Sequence, residues 1–124
     1  MESKYVADPA VIKKFLKQIK TLTSNPNFDP NKDFYLMKRN NDISTSMYTN
    51  QNTLMLLGYH QNEVLEEIKS LKYEHYVESI IDLVSLNVSL HVFKKIIQGW
   101  KVYIKISIKN QQKILCISFH ISNE

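Results

Sequence analysis

One cysteine, two glycines, three prolines and one tryptophan are spread over 124 residues. The lone Cys116 excludes an intrachain disulfide and cannot by itself build a cysteine-rich zinc site. The histidines, His60, His75, His91 and His120, lack the spacing of metal ligands, so neither a metal nor a cofactor is expected. No apolar run approaches the ~20 residues of a membrane span. The opening MESKYVADPA has no apolar segment of the kind a signal peptide needs. A reducing, cytoplasmic setting away from membranes is therefore expected. No internal repeat, linker or low-complexity tract is visible, and one domain is expected over residues 1–124. The net charge of +4 tilts the chain toward acidic partners, either nucleic acid or an acidic protein.

What the chain does have is alternation. In Trp100 to Lys109, WKVYIKISIK, the residues Trp100, Val102, Ile104, Ile106 and Ile108 fall on one side. Lys101, Tyr103, Lys105, Ser107 and Lys109 fall on the other. A period of two over such a length predicts a half-buried strand with a lysine-rich outer face. Leu86, Val88, Leu90 and Val92 alternate with Asn87, Ser89, His91 and Phe93 in the same way. Past the polar Asn110-Gln111-Gln112, so do Leu115, Ile117, Phe119 and Ile121 with Cys116, Ser118 and His120. The first-named set of each run is expected inward and the second outward, as an antiparallel meander. Tyr76 to Leu83, rich in β-branched residues, is expected to add a fourth strand.

Helical signals come earlier. Asp8-Pro9 is an N-cap followed by a proline at the first helical position. Ile12, Phe15, Leu16, Ile19 and Leu22 then recur at helical spacing until Asn25-Pro26, so a helix is expected over 8–25. Its other face carries Lys13, Lys14, Lys17 and Lys20, most simply a solvated face. Asn25 to Lys32 reads as a loop, Phe34 to Lys38 as a short strand, and Arg39 to Ser46 as turn-like. A short helix is expected from near Ser44, Ser46 or Thr49 to Gly58, and another from about His60 to Leu71, making a helical corner over 44–71. Helices followed by strands over 76–122 give an α+β fold, with the helices packed on one face of an antiparallel sheet.

The stretch EHYVESI…LHVFKKIIQGWKVYIKISIKNQQKILCISFHIS, with LGY…EVLEEIKSLKYEHY before it, resembles the MqsR toxins. The resemblance covers about residues 44 to 122. It implies a RelE-type fold, an mRNA interferase activity and pairing with an antitoxin. It also marks departures. Where the family keeps a lysine after the tyrosine matching Tyr76, this chain has Val77. The family's W-Q-D-V-Y glutamine falls on Leu90, or near His91 with a one-residue slip. The tyrosine and lysine of V-Y-L-K are kept as Tyr103 and Lys105, and the lysine of S-F-K becomes His120.

RNA cleavage through the 2′-hydroxyl needs a base, an acid and a cation at the phosphate. His91, Tyr103 and His120 are the candidates for base and acid. Lys94, Lys95, Lys101 and Lys105 are the candidate contacts to a phosphate or an acidic partner. Parity would put His91, His120, Tyr103, Lys101 and Lys105 together on the outward face. Polar outward positions are ordinary, however, and Val77 and Leu90 sit where the family keeps polar groups. The sequence therefore favours a toxin-like, prophage-type protein that acts by gripping a protein partner, either an antitoxin or a host or phage regulator. An endoribonuclease with a rearranged His/Tyr/Lys site is the alternative, with RNA as its ligand. A DNA regulator using the first helix is the least favoured.

Overall fold

The computed structural model describes residues 2–37, 49–82 and 88–122. In chain order these form β1 (Glu2–Tyr5), α1 (Pro9–Ser24), α2 (Pro30–Asp33), β2 (Phe34–Leu36), α3 (Asn50–Leu57), α4 (Gln61–Lys69), a single 3₁₀ turn (Tyr73–His75), β3 (Tyr76–Asp82), β4 (Val88–Ile97), β5 (Trp100–Lys109) and β6 (Lys113–Ile121). The strands make one sheet in the order β1-β3-β4-β5-β6-β2, and the fold is α+β. Every pairing is antiparallel except β2 with β6, which is parallel.

The helices begin and end where local chemistry dictates. Asp8 Oδ1 accepts from the Ala10 N–H at 2.8 Å, and Pro9 needs no partner for its missing N–H. Thr49 caps α3 by accepting from the Asn52 N–H at 3.1 Å, and Gly58 stops it at φ 71°. The Glu63 carboxylate accepts from the His60 N–H at 2.7 Å and so opens α4. The Ser44 and Ser46 starts considered above, the Arg39–Ser46 turn and Leu86 lie outside the described residues. β1 and α2 were not anticipated. Both are short pieces with no periodicity, and Pro30 had marked its segment as loop.

The main core lies between the helices and one sheet face. Ile12, Phe15, Leu16 and Ile19 of α1, Leu54 and Leu57 of α3, and Val64, Leu65 and Ile68 of α4 meet Phe93, Val102, Ile104, Ile106 and Phe119. β5 keeps its expected register, with Val102, Ile104 and Ile106 fully buried. Trp100, expected inward, is 38% exposed at the hairpin end of that strand. The β4–β5 turn places Gln98 and Gly99 at positive φ, the mirror-image geometry that suits a two-residue hairpin.

Two strands depart from simple alternation. In β4, His91 pairs with Ile106 and Phe93 with Ile104, so these residues face the helices. Leu90 and Val92 face the other way. β4 is a central strand with apolar residues on both sides, and Val92 is buried although it lies opposite the helices. In β6 the register slips: Lys105 pairs with Ser118, but Ile106 pairs with Cys116. Ile117 is the extra residue of a bulge. Before it Ile114 and Cys116 point into the core; after it Phe119 and Ile121 do. Leu115 and Ile117, expected inward, are only partly buried, and Cys116, expected outward, is fully buried.

The bulge is held from outside the sheet. Asn50 Nδ2 donates to the Ile117 carbonyl at 3.1 Å and to the Met37 carbonyl at 2.9 Å, while its Oδ1 accepts from the Phe119 N–H at 2.9 Å. One turn later Thr53 Oγ1 accepts from the Ile121 N–H at 2.9 Å. β2 covers the β6 edge over residues 114–116, and α3 covers the rest. Asn50→Ala orphans three backbone groups at once. A buried unsatisfied group costs ~1–3 kcal/mol, so urea unfolding of this variant is expected to show at least that loss. A loss near zero would contradict the clamp.

Candidate functional site

The sheet face opposite the helices carries the polar residues of β5 and β6. Cross-strand pairing sets them in rows: Lys94, Tyr103 and His120; Val92, Lys105 and Ser118; Ile96 and Lys101. Directly opposed side chains lie about 5 Å apart. The Tyr103 and His120 rings stack, with centroids 5.1 Å apart and planes 16° apart. The bulge makes this possible. Without the extra residue, His120 would share the parity of Cys116 and point into the core.

His120 is fixed in one form. Its Nδ1 lies 3.1 Å from the Ile121 carbonyl, which can only accept, so Nδ1 carries the proton. Burial lowers the pKa, the Ile121 carbonyl opposes this, and Lys105 lowers it further; the net shift is downward. At neutral pH the ring is uncharged, and Nε2 keeps its lone pair. That is the state a general base requires.

His91 is in a different place. It lies on the helix side, 6% exposed, with its ring edge against Phe15 at a centroid distance of 4.4 Å. A chain of hydrogen bonds leads to it. The Ala7 N–H donates to the Tyr76 hydroxyl at 2.9 Å. Tyr76 Oη lies 2.6 Å from Ser79 Oγ, and Ser79 Oγ lies 2.7 Å from His91 Nδ1. Only one direction uses every proton: Tyr76 donates to Ser79, and Ser79 donates to His91. Nδ1 of His91 is then the acceptor, and its proton sits on Nε2. Burial lowers its pKa, so it too is neutral.

Lys95 also faces the helices. Its Nζ lies 2.7 Å from Glu67 Oε1 and 2.5 Å from Ser70 Oγ, tying α4 to the sheet. Tyr59 donates to the second Glu67 oxygen at 2.5 Å, and this bond raises the phenol to about 12. Burial pushes Glu67 upward, but Lys95 and Tyr59 outweigh it and hold the carboxyl below its ordinary value.

The structure thus brings Lys94, Lys101, Tyr103, Lys105 and His120 onto one face and places His91 and Lys95 on the other. Sequence reasoning had joined His91 to the first group because it took Leu90 and Val92 as the core side. Ser118, opposite Lys105, and Tyr35, 53% exposed beside Leu115 on β2, also belong to the outer face. Tyr35 carried no sequence signal, since its place depends on the parallel pairing of β2. Val77 is exposed at a β3 irregularity and Leu90 pairs with buried Ile80, while Glu78 pairs with Val92 and holds Lys4 at 3.7 Å, so the β3–β4 part of this face mixes apolar residues with one ion pair. Among the described residues, no group of three or more His, Cys, Asp or Glu side chains is arranged to hold a metal. Burial pushes the Cys116 thiol well up, so it is no nucleophile. No described helix is long and apolar enough to cross a membrane.

Burial lowers three histidines, His75, His91 and His120. The unfolded chain, with histidines near pKa ~6.5, binds more protons than the native protein just below that pH. Their stabilisation is complete above that value and is lost as pH falls toward the folded pKa. The melting temperature is expected to drop between about pH 7 and pH 5, and His91→Gln should make the slope shallower. A flat or rising melting temperature would contradict the neutral, buried assignment.

The family model of the motility quorum-sensing regulator, toxin of MqsA, matches residues 31–121. Neither a curated protein nor a solved structure gives a significant match. The matched span runs from within α2 through β6 and contains both Tyr103 and His120, while β1 and α1 lie before it. This chain belongs to the MqsR toxin family, a toxin–antitoxin family whose members pair with an antitoxin.

Proposed function

We propose that the protein cleaves RNA at the Tyr103–His120 face. The observation that carries this reading is a neutral His120 with an unprotonated Nε2, stacked on the Tyr103 ring and flanked by lysines. In the reaction, His120 Nε2 takes the proton of a ribose 2′-hydroxyl. The 2′-oxygen attacks the adjacent phosphorus, the bond from phosphorus to the 5′-oxygen breaks, and the Tyr103 hydroxyl protonates the leaving oxygen. Lys105 and Lys101 stabilise the charge that builds on the phosphate. The products are a 2′,3′-cyclic phosphate and a 5′-hydroxyl. Lys94 completes the row beyond Tyr103 and contacts the neighbouring phosphate.

A second reading, capture of an acidic protein partner by the same face, is favoured by a separate observation. Ile96 is 61% exposed and pairs with exposed Lys101, beside half-exposed Trp100. Apolar anchors ringed by cations suit an inhibitory partner that buries the first and neutralises the second. The two readings coexist in a toxin that its antitoxin covers.

His120→Ala is expected to reduce cleavage of a mixed messenger RNA by ~10²–10⁴-fold, the usual contribution of general acid–base catalysis. The acid limb of the wild-type pH profile should fall below the ordinary histidine value of about 6.5, because the base must be neutral. Product ends are read by mass spectrometry. No cleavage by wild type, or cleavage indifferent to His120→Ala, would remove the catalytic reading and leave partner binding.

A further inference from the structure

β4 and β5 part company at one end of the sheet. Their register stops at His91 and Ile106, yet β4 runs back to Val88 along β3 and β5 runs on to Lys109 along β6. The sheet therefore splits into two halves there, and α1 lies across the gap. The result is a cleft of about 650 Å³, bordered by Phe15 and Gln18 of α1, Ser89 and His91 of β4, and Ser107 and Lys109 of β5. That volume is within the range of small-ligand sites.

We propose that this cleft is a nucleobase pocket. The identification of its natural ligand as a base of bound RNA rests on the cleavage reading above. The chemistry fits a flat, polar-edged ring. Phe15, Ile108 and Leu115 supply apolar contact. Ser79 occupies His91 Nδ1, so the ring presents Nε2–H, a donor, to the cleft. The Ser89 and Ser107 hydroxyls and the Gln18 amide add further donors and acceptors, and Lys109 stands by for a phosphate. Among the described residues that line the cleft none is acidic, which suits a polyanion.

The location fits as well. Ser107 lies on the same face as Tyr103, four residues further along β5, about 13 Å at strand rise. A single strand with its phosphate at Tyr103–His120 can lay a base into the cleft a few nucleotides away. A neutral Nε2–H donor pairs with an acceptor on a base edge, whether a carbonyl oxygen of guanine, uracil or cytosine or a ring nitrogen of adenine. Phe15 and Gln18 lie before the family-matched residues 31–121, so the pocket's roof comes from α1, outside the matched span.

The test is a titration of the full chain with the four ribonucleoside 5′-monophosphates and, as control, ribose 5-phosphate. It is followed by the imidazole NMR signals of His91. The pocket predicts saturable shifts with all four nucleotides and none with ribose 5-phosphate. His91→Ala risks the fold, so the blocking variant is Gln18→Trp, at a half-exposed α1 position. It should weaken nucleotide binding by about tenfold or more and leave the melting temperature unchanged. Equal shifts with ribose 5-phosphate, no shifts at all, or binding indifferent to Gln18→Trp would overturn the proposal. Nucleotide-dependent shifts in a protein that fails to cleave RNA still establish the pocket, and cleavage without them refutes it.

Discussion

The outer face of this sheet depends on one side-chain amide. Asn50 spends both of its polar atoms on β6, at the residues where the bulge has broken the ladder. A bulge leaves backbone groups without partners, and in a buried edge those groups must find others. α3 brings Asn50 and then Thr53 to them, because Thr49 starts the helix and Gly58 ends it. The bulge reverses the phase of β6. Cys116 and Phe119 can then both be core residues, and His120 turns out to meet Tyr103. An interaction made for packing thus sets the only stacked Tyr–His pair among the described residues.

His91 and His120 show how hydrogen bonding decides chemistry. Burial makes each neutral, yet they hold their protons on different nitrogens. A carbonyl, which cannot donate, fixes the proton of His120 on Nδ1 and leaves Nε2 basic. A relay from Tyr76 through Ser79 does the opposite at His91, leaving Nε2 a donor. The first arrangement can take a proton and the second can read an acceptor. On the helix side, the Tyr59–Glu67–Lys95 triad and the Gln98 amide bond to the Leu57 carbonyl at 3.0 Å hold the helical corner to the β4–β5 hairpin. Lys95 is thereby committed to structure rather than to a ligand.

Much of this was readable in the chain. Helix ends followed from Asp8-Pro9, Thr49, Gly58 and Asn25-Pro26, because caps and breakers act over a few residues. β5 was legible because its two faces differ sharply, isoleucine against lysine. β4 was not, since Leu90, Val92, Phe93 and Ile97 make both faces apolar and local pattern cannot choose between them. The β6 bulge depends on Asn50, far away in sequence, so no window around Ile117 could signal it. The candidate site divided along the same line. Tyr103, Lys101, Lys105 and His120 were placed correctly on the outer face. His91 was misplaced with its strand, and the bond of Lys95 to Glu67 was not legible because that partner is 28 residues away.

The central claim is that Asn50, by holding the bulge, presents His120 to Tyr103. The most direct measurement is the nuclear Overhauser effect between the His120 and Tyr103 rings, in wild type and in Asn50→Ala under conditions where both are folded. The account predicts a strong contact in wild type that is lost in the variant, while contacts among Val102, Ile104 and Phe93 persist. A Tyr103–His120 contact that survives removal of the Asn50 amide would contradict it, as would its absence from the wild-type protein.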